Sequence, residues 1–72
     1  MFIFTEHLKS LRTAKGITQR QVGESIGAGE RSIQDYERGK CKPGFDALIA
    51  LADFYDVSLD YLVGRSDDPR RR

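Results

Sequence analysis

The sequence contains little of what metal centres and active sites are built from, since its 72 residues include one cysteine and one histidine. Cys41 cannot form an internal disulfide, and we expect it to be a loop residue, with a redox role as the alternative. His7 has no second histidine, cysteine or acid at metal-ligand spacing and is predicted to be an exposed helix residue. A glycine-rich phosphate loop is absent from the sequence as well. We therefore predict no catalytic residue, no metal and no cofactor, and we expect neither an enzyme nor a small-molecule substrate.

Long apolar runs are also absent. No stretch approaches the roughly 20 apolar residues that a membrane-spanning helix needs, and the opening MFIFTEH lacks the regions of a secretory signal. We expect a cytoplasmic protein without a membrane partner. The length suits one small domain, which we place at residues 1–64. Residues 65–72 have no apolar side chain and are predicted to form a mobile tail.

A strong charge of one sign is missing too, because the net charge is only +1. The charges are nevertheless unevenly distributed along the chain. Residues 1–42 carry eight basic and five acidic side chains, whereas residues 43–72 carry four arginines and six aspartates. This asymmetry predicts that a face of the first part of the chain meets phosphates.

Throughout the sequence, apolar residues recur at the spacing typical of helices. No segment of useful length alternates apolar and polar residues in the manner of a β-strand. Phe4, Leu8 and Leu11 predict a first helix over about residues 5–15, with Thr5 as its N-cap. The same reasoning predicts four more helices, over about residues 19–26, 30–38, 45–55 and 59–63. The predicted fold class is therefore all-α.

The second and third predicted helices are too short to be stable alone, so packing must hold them. Thr18 and Gln21 have the spacing of a capping box, which marks the start of helix 2. Gly27 and Gly39 end helices 2 and 3, because glycine readily adopts the left-handed conformation needed there. Gly23 stands inside helix 2, where glycine costs roughly 0.5–1 kcal/mol relative to alanine. We therefore expect helix 3 to approach Gly23 closely.

Four segments are typical of one family in their order and spacing: LKSLRTAKGITQ, QVGESIG, SIQDYERG and LIALADFYDVSLDYLVG. With them, the stretch from Leu8 to Gly64 resembles the Xre/Cro-type helix-turn-helix of phage repressors and related bacterial regulators. The resemblance implies a compact five-helix, lambda-repressor-like DNA-binding domain with the helix-turn-helix in helices 2 and 3. Gly23 and Gly29 depart from the family pattern, which usually has alanine at the first position and serine or threonine at the second.

The resemblance implies a sequence-specific transcriptional regulator, a repressor, that binds double-stranded DNA with helix 3 in the major groove. Base contacts are implied for Gly29, Glu30, Arg31, Gln34 and Asp35. Arg31 can donate two hydrogen bonds to guanine and Gln34 can pair with adenine, while Glu30 or Asp35 can accept from cytosine. Each acid has an alternative role. Glu30 can compensate the helix dipole, and Asp35 can form an ion pair with Arg31 or Arg38.

Phosphate contacts are predicted around helix 3. The resemblance implies one for Gln19, at the start of helix 2, where we expect no role in the core. Three basic residues flank helix 3 and are either phosphate contacts or ordinary solvated charges: Arg20, Lys40 and Lys42. Arg12 and Glu37 occupy positions that pair in the family, so the resemblance implies a partly buried ion pair that fixes the orientation of the helices.

Apolar residues near the end of the chain exceed what a domain of this size must bury. They predict the interface of a homodimer, formed by Phe54, Leu59, Tyr61 and Leu62. Phe2 and Ile3 belong to the same surplus. Arg70 to Arg72 form either an arm that contacts DNA or a solubilising tail. The alternative function is a protein-interaction module, such as an antitoxin or a regulator-binding partner, that presents this C-terminal surface to another protein.

Overall fold

The computed structural model describes residues 4–71, which fold into five α-helices without a strand. The helices are α1 (Phe4–Ala14), α2 (Gln19–Ile26), α3 (Glu30–Arg38), α4 (Phe45–Tyr55) and α5 (Leu59–Leu62). The predicted all-α class and the order of five helices are confirmed. Thr5, predicted as an N-cap, lies inside the first turn of α1. The predictions for Phe2, Ile3 and Arg72 fall outside the described residues.

One apolar core holds the helices together, and every helix contributes at least one buried side chain to it. The core residues are Leu8, Val22, Ile33, Leu51, Ala52, Tyr55, Val57 and Leu62. Full burial of one large aliphatic or aromatic side chain stabilises a fold by about 1.5–3 kcal/mol. The short helices α2 and α3 therefore depend on this core. Within residues 4–71, no helix has both the length and the apolar character needed to cross a bilayer.

The ends of α2 agree with the sequence. The Thr18 hydroxyl accepts a hydrogen bond from the Gln21 N–H at 3.1 Å, and the Gln21 side chain accepts from the Thr18 N–H at 2.8 Å. Both bonds of the predicted capping box are thus present. Gly27 ends the helix in the left-handed conformation, with φ of 72°, and Gly39 ends α3 in the same way, with φ of 77°.

Gly23 lies where the backbone of α2 meets the start of α3. A Cβ atom at Gly23 would fall within 3.0 Å of the Gly29 carbonyl group and of the Glu30 nitrogen. The Gly23 carbonyl also accepts hydrogen bonds from the Ala28 N–H at 2.9 Å and the Gly29 N–H at 3.2 Å. The close approach predicted from Gly23 is confirmed, and it sets the position of α3 against α2.

Residues 65–71, which belong to the segment predicted to be a mobile tail, contact the domain in this structure. The Ser58 N–H donates to the Pro69 carbonyl at 3.1 Å. The Arg71 guanidinium donates to the Ala52 carbonyl at 2.9 Å and to the Asp53 carboxylate at 2.5 Å. The physical reason lies in α4, because its C-terminal end carries negative partial charge and an aspartate, which attract a cation. Arg71 is therefore an intramolecular partner of α4 in this structure.

Candidate nucleic-acid interface

The two sides of α3 differ in burial. Ile33 is buried, with 3% of its surface exposed, and Tyr36 and Glu37 on the same side are half-buried. On the opposite side the Arg31 side chain is 74% exposed, and Glu30 is exposed as well. The helix is thus anchored by one side and presents a polar side outward.

The five predicted base-contact residues fall into two groups. Gly29, Glu30 and Arg31 are exposed at the start of α3, whereas Gln34 and Asp35, about one turn later, are half-buried. Gln34 keeps a partly accessible side chain. The Asp35 side chain is only 18% exposed and contacts Arg31, with 3.4 Å between Asp35 Oδ1 and Arg31 Nε. Of the alternatives for Asp35, the ion pair with Arg31 is the one present.

The start of α3 has no side-chain cap, because its N-cap residue is Gly29. Gly29 has φ of 84° and ψ of 159°, a backbone conformation that is essentially restricted to glycine. Serine or threonine, the usual residues of the family here, would be strained in it. Gly29 can therefore contact a ligand only through its backbone, and it leaves the first N–H groups of α3 without a capping side chain.

A hydrogen-bonded group of three side chains joins α1, α2 and α3. Glu37, whose side chain is 5% exposed, accepts from Arg12 Nε at 2.7 Å and from Arg12 Nη2 at 3.1 Å. The implied Arg12–Glu37 ion pair is thus present in the structure. The bond to Glu37 raises the pKa of Arg12 above its ordinary value, although burial acts in the opposite direction. The guanidinium stays charged and holds the end of α1 against α3.

Gln19 is the third member of this group, which corrects the expectation that it has no role in the core. Its Nε2 donates to the Glu37 carboxylate at 3.0 Å. The bond forms because α2 and α3 pack side by side. Gln19 and Glu37 are far apart in the sequence, so the sequence alone does not reveal the bond between them. In this structure the Gln19 side chain serves the packing of the helices, which leaves its backbone N–H at the start of α2 for an outside partner.

The basic candidates Arg20, Lys40 and Lys42 are all exposed. Arg20 lies in the first turn of α2 and forms an ion pair with Glu24 at 3.4 Å. Lys40 and Lys42 follow the end of α3, where the Lys40 N–H donates to the Asp35 carbonyl at 2.9 Å. Exposed cations therefore lie on both sides of α3 in the chain, in α2 and after the end of α3.

Residues 8–62 match the model of the helix-turn-helix family. The chain belongs to this family. Its relatives include the HTH-type transcriptional regulators YobD and ImmR of Bacillus subtilis. YobD is 42% identical over 67 residues, which are 93% of this chain and 60% of YobD. ImmR is 36% identical over 62 residues, which are 86% of this chain and 49% of ImmR. The chain thus spans about half to three fifths of the length of these relatives.

A solved structure with the same fold is that of the P22 c2 repressor protein, in complex with synthetic operator 9T. It matches this helix-turn-helix domain with a TM-score of 0.85 and 26% sequence identity, over 92% of this chain and all of that one. The predicted lambda-repressor-like fold and the resemblance to Xre/Cro-type regulators are confirmed.

The apolar C-terminal surface of the helix-turn-helix domain differs in part from its prediction. Leu62, predicted at a dimer interface, is fully buried in the core, because α5 turns that residue toward α1 and α4. Leu59 is 42% exposed, and Phe54 and Tyr61 are half-buried. Phe45, which the sequence did not single out, is 75% exposed at the first position of α4.

His7 is half-buried, not exposed as predicted. Its Nδ1 lies 3.2 Å from the Leu62 carbonyl oxygen, and its ring packs edge-on against Tyr61 with 4.9 Å between the ring centroids. The difference arises because α5 packs across α1, a contact between distant parts of the chain. His7 therefore belongs to the packing of α1 against α5.

Proposed function

We propose that this helix-turn-helix domain is a sequence-specific, double-stranded DNA-binding regulator of transcription that docks α3 in the major groove. The observation that carries the proposal is the contrast between the two sides of α3, with Ile33 buried and Arg31 74% exposed. A major groove admits one α-helix, whose outward side chains then meet the base edges. The similarity to a repressor solved in complex with operator DNA supports DNA binding by this domain.

The side chains of α3 have distinct parts in this proposal. Arg31 donates to guanine and Gln34 pairs with adenine. Glu30 accepts from the amino group of cytosine, and Gly29 contributes backbone contacts only. Asp35 has no base contact in this proposal, because its carboxylate already pairs with Arg31 in α3.

Contacts with the phosphates come from the flanking segments in this proposal. Arg20, Lys40 and Lys42 supply charge, and Gln19 contributes its backbone N–H at the start of α2. Such contacts fix the register of the protein on DNA without reading sequence. Binding to chromosomal DNA would place the protein in the cytoplasm.

The regulator is proposed to be a repressor that acts as a homodimer through Phe54, Leu59 and Tyr61. Leu59 is exposed, and Phe54 and Tyr61 are partly exposed beside it. Apolar side chains at the surface favour such a contact, and a two-fold dimer places two recognition helices about 34 Å apart on successive turns of DNA. Sedimentation at tens of micromolar tests the dimer, with Leu59→Asp as the variant that prevents it. A monomer in the wild type, with and without DNA, would contradict this part of the proposal.

Selection of bound sequences from a random pool of double-stranded DNA tests the DNA-binding function directly. We expect one palindromic motif and an affinity that falls with salt, with a slope of about −0.9 on logarithmic axes for each phosphate contacted. Arg31→Ala combined with Gln34→Ala should abolish the enrichment while the domain stays folded. A wild-type protein that enriches no motif would reject the function.

A protein-interaction module is the second candidate function, and the exposure of Leu59 favours it. In this case the C-terminal surface binds a protein partner, as an antitoxin binds its toxin. The double variant Arg31→Ala with Gln34→Ala and the variant Leu59→Asp separate the two candidate functions. The loss of complex formation in Leu59→Asp, together with no DNA motif in the wild type, would favour the interaction module.

A further inference from the structure

We infer that Asp35 is a positioning residue, which holds the guanidinium of Arg31 in the orientation that reads a guanine. The inference rests on the proposed DNA-binding function and assigns specificity within it. It changes the role of Asp35 from a residue that contacts a base to one that acts through Arg31.

The geometry of the pair leaves the reading groups of Arg31 unused. Asp35 Oδ1 accepts from Arg31 Nε at 3.4 Å, so the contact does not consume the donors on Nη1 and Nη2. These two amino groups can together donate to O6 and N7 of one guanine. The carboxylate thus contacts the rear edge of the guanidinium while the front edge stays available.

The Arg31 and Asp35 side chains differ in exposure, as expected if Arg31 reaches the DNA and Asp35 supports it from the protein side. Arg31 is 74% exposed in the first turn of α3, whereas the Asp35 side chain is 18% exposed. Helical side chains lean toward the N-terminus of their helix, so Asp35 leans toward the turn that contains Arg31. A half-buried carboxylate is a better support than a freely moving one, because fewer of its rotamers are accessible.

Helix stability alone gives a weak account of the pair. A basic residue followed four positions later by an acid is the less favourable order for such pairs in a helix. Exposed pairs of this type contribute little to folding in general. An acid on a side that faces DNA also repels phosphates. The pairing with Arg31 offsets that charge and gives Asp35 a use in recognition.

The inference predicts a specific change in base preference when Asp35 loses its charge. The base pair read by Arg31 is first located with Arg31→Ala in the DNA selection. At that base pair, Asp35→Asn should reduce the preference for guanine roughly fivefold or more, because a well-oriented bidentate contact is what discriminates the base. Preferences at the other base pairs should stay as in the wild type.

A matched control lies on α2, where Arg20 and Glu24 form an ion pair of the same spacing and the same 3.4 Å distance. Glu24→Gln removes a comparable charge from a pair that reads no base in this proposal. We expect it to leave all base preferences unchanged. A shift equal to that of Asp35→Asn would mean that general charge, and not support of Arg31, explains the effect.

The variant Arg31→Lys provides a second measurement. Lysine lacks the planar guanidinium and its Nε donor, so Asp35 has no group to orient in this variant, and any guanine preference that remains should be independent of Asp35. Adding Asp35→Asn to Arg31→Lys should then have no further effect at that base pair. Thermal unfolding of each protein verifies that the variants are folded. The comparison then depends only on their base preferences.

The possible outcomes separate the inference from the function on which it rests. If Asp35→Asn changes a base pair other than the one read by Arg31, Asp35 reads a base directly and the inference is wrong. An unchanged guanine preference also overturns it. The absence of any motif with the wild-type protein would reject the DNA-binding function itself and the inference with it.

Discussion

The start of α3 rests directly on the backbone of α2, because a Cβ atom at Gly23 would fall within 3.0 Å of the Gly29 carbonyl group. The two glycines at which the sequence is expected to depart from the family pattern are therefore in contact with each other. The absence of a side chain at Gly23 permits the approach, and Gly29 is the N-cap of α3, with a φ of 84°. The position of α3 thus depends on both glycines.

Gly23→Ala should destabilise the domain even though alanine favours helix. The clash is with backbone atoms, which cannot move aside as a flexible side chain can. Overpacking costs about 1–3 kcal/mol, which outweighs the gain of roughly 0.5–1 kcal/mol from replacing a helical glycine. Urea unfolding measures the difference. Glu24→Ala, at the exposed neighbouring position, is the control and should change stability by no more than about 0.5 kcal/mol. A stabilised Gly23→Ala variant would contradict the close approach.

Gly29→Ser restores a residue typical of the family but should lower stability by about 1 kcal/mol or more. Serine caps a helix from an extended conformation with negative φ, whereas Gly29 has a positive φ. The cap therefore cannot form without moving the start of α3. Gly29→Ala should be destabilised to a similar extent, since it has the same strain and no hydroxyl. If thermal unfolding shows the serine variant to be more stable than the wild type, α3 can begin in another way.

Glu37→Ala should remove about 3–5 kcal/mol of stability, because it leaves the Arg12 charge partly buried without its partner. For a domain of this size that corresponds to a fall in Tm of roughly 10 °C or more. The control is the double variant Arg12→Leu with Glu37→Leu, which removes both charges and should recover part of the loss. Circular dichroism during heating gives both values. An unchanged melting curve for Glu37→Ala would show that the pair has no structural role.

Tyr55 predicts a loss of stability in alkaline solution. Burial raises the pKa of Tyr55 to about 12, and the nearby Glu37 carboxylate acts in the same direction. The folded protein therefore keeps this phenolic proton more tightly than the unfolded chain, where the pKa is about 10. The stabilising contribution is complete below about pH 10 and is lost as the pH rises toward about 12, with a total of about 3 kcal/mol.

Urea unfolding of the wild type and of Tyr55→Phe between about pH 9 and 12 checks this prediction. Phenylalanine has no proton to lose, so the difference in stability between the two proteins should change across this range in favour of the variant. Tyr36→Phe serves as the control for a tyrosine that is less buried. Parallel pH profiles for the wild type and Tyr55→Phe would contradict the prediction.

The helices could be predicted from the sequence because their signals are local. The Thr18 and Gln21 capping box and the glycine after each of α2 and α3 lie within one or two turns of the ends that they define. Gly23 is a further case: the unfavourable position of a glycine inside a helix indicated the close contact between α2 and α3. The base contacts of α3 remain predictions, because they depend on a bound DNA and not on the fold alone.

What the sequence did not reveal depends on contacts between distant segments. The bond from Gln19 to Glu37 exists only because α2 and α3 lie side by side. The burial of Leu62 and the contact of His7 with its carbonyl require α5 to cross α1. For Arg71 the sequence offered an arm that contacts DNA or a solubilising tail, and it did not reveal the two acceptors that the end of α4 provides. Composition describes a segment in isolation and contains no information about such neighbours.

The folded-back course of residues 65–71 has a practical consequence for any assay of self-association. Arg71 and Leu59 line the same surface concavity, beside the end of α4. A label attached at residue 71 would therefore lie next to this concavity and obstruct the apolar side chains that line it. Labels for such measurements are therefore better attached to an engineered cysteine on the exposed side of α2, in a background where Cys41 is replaced by serine.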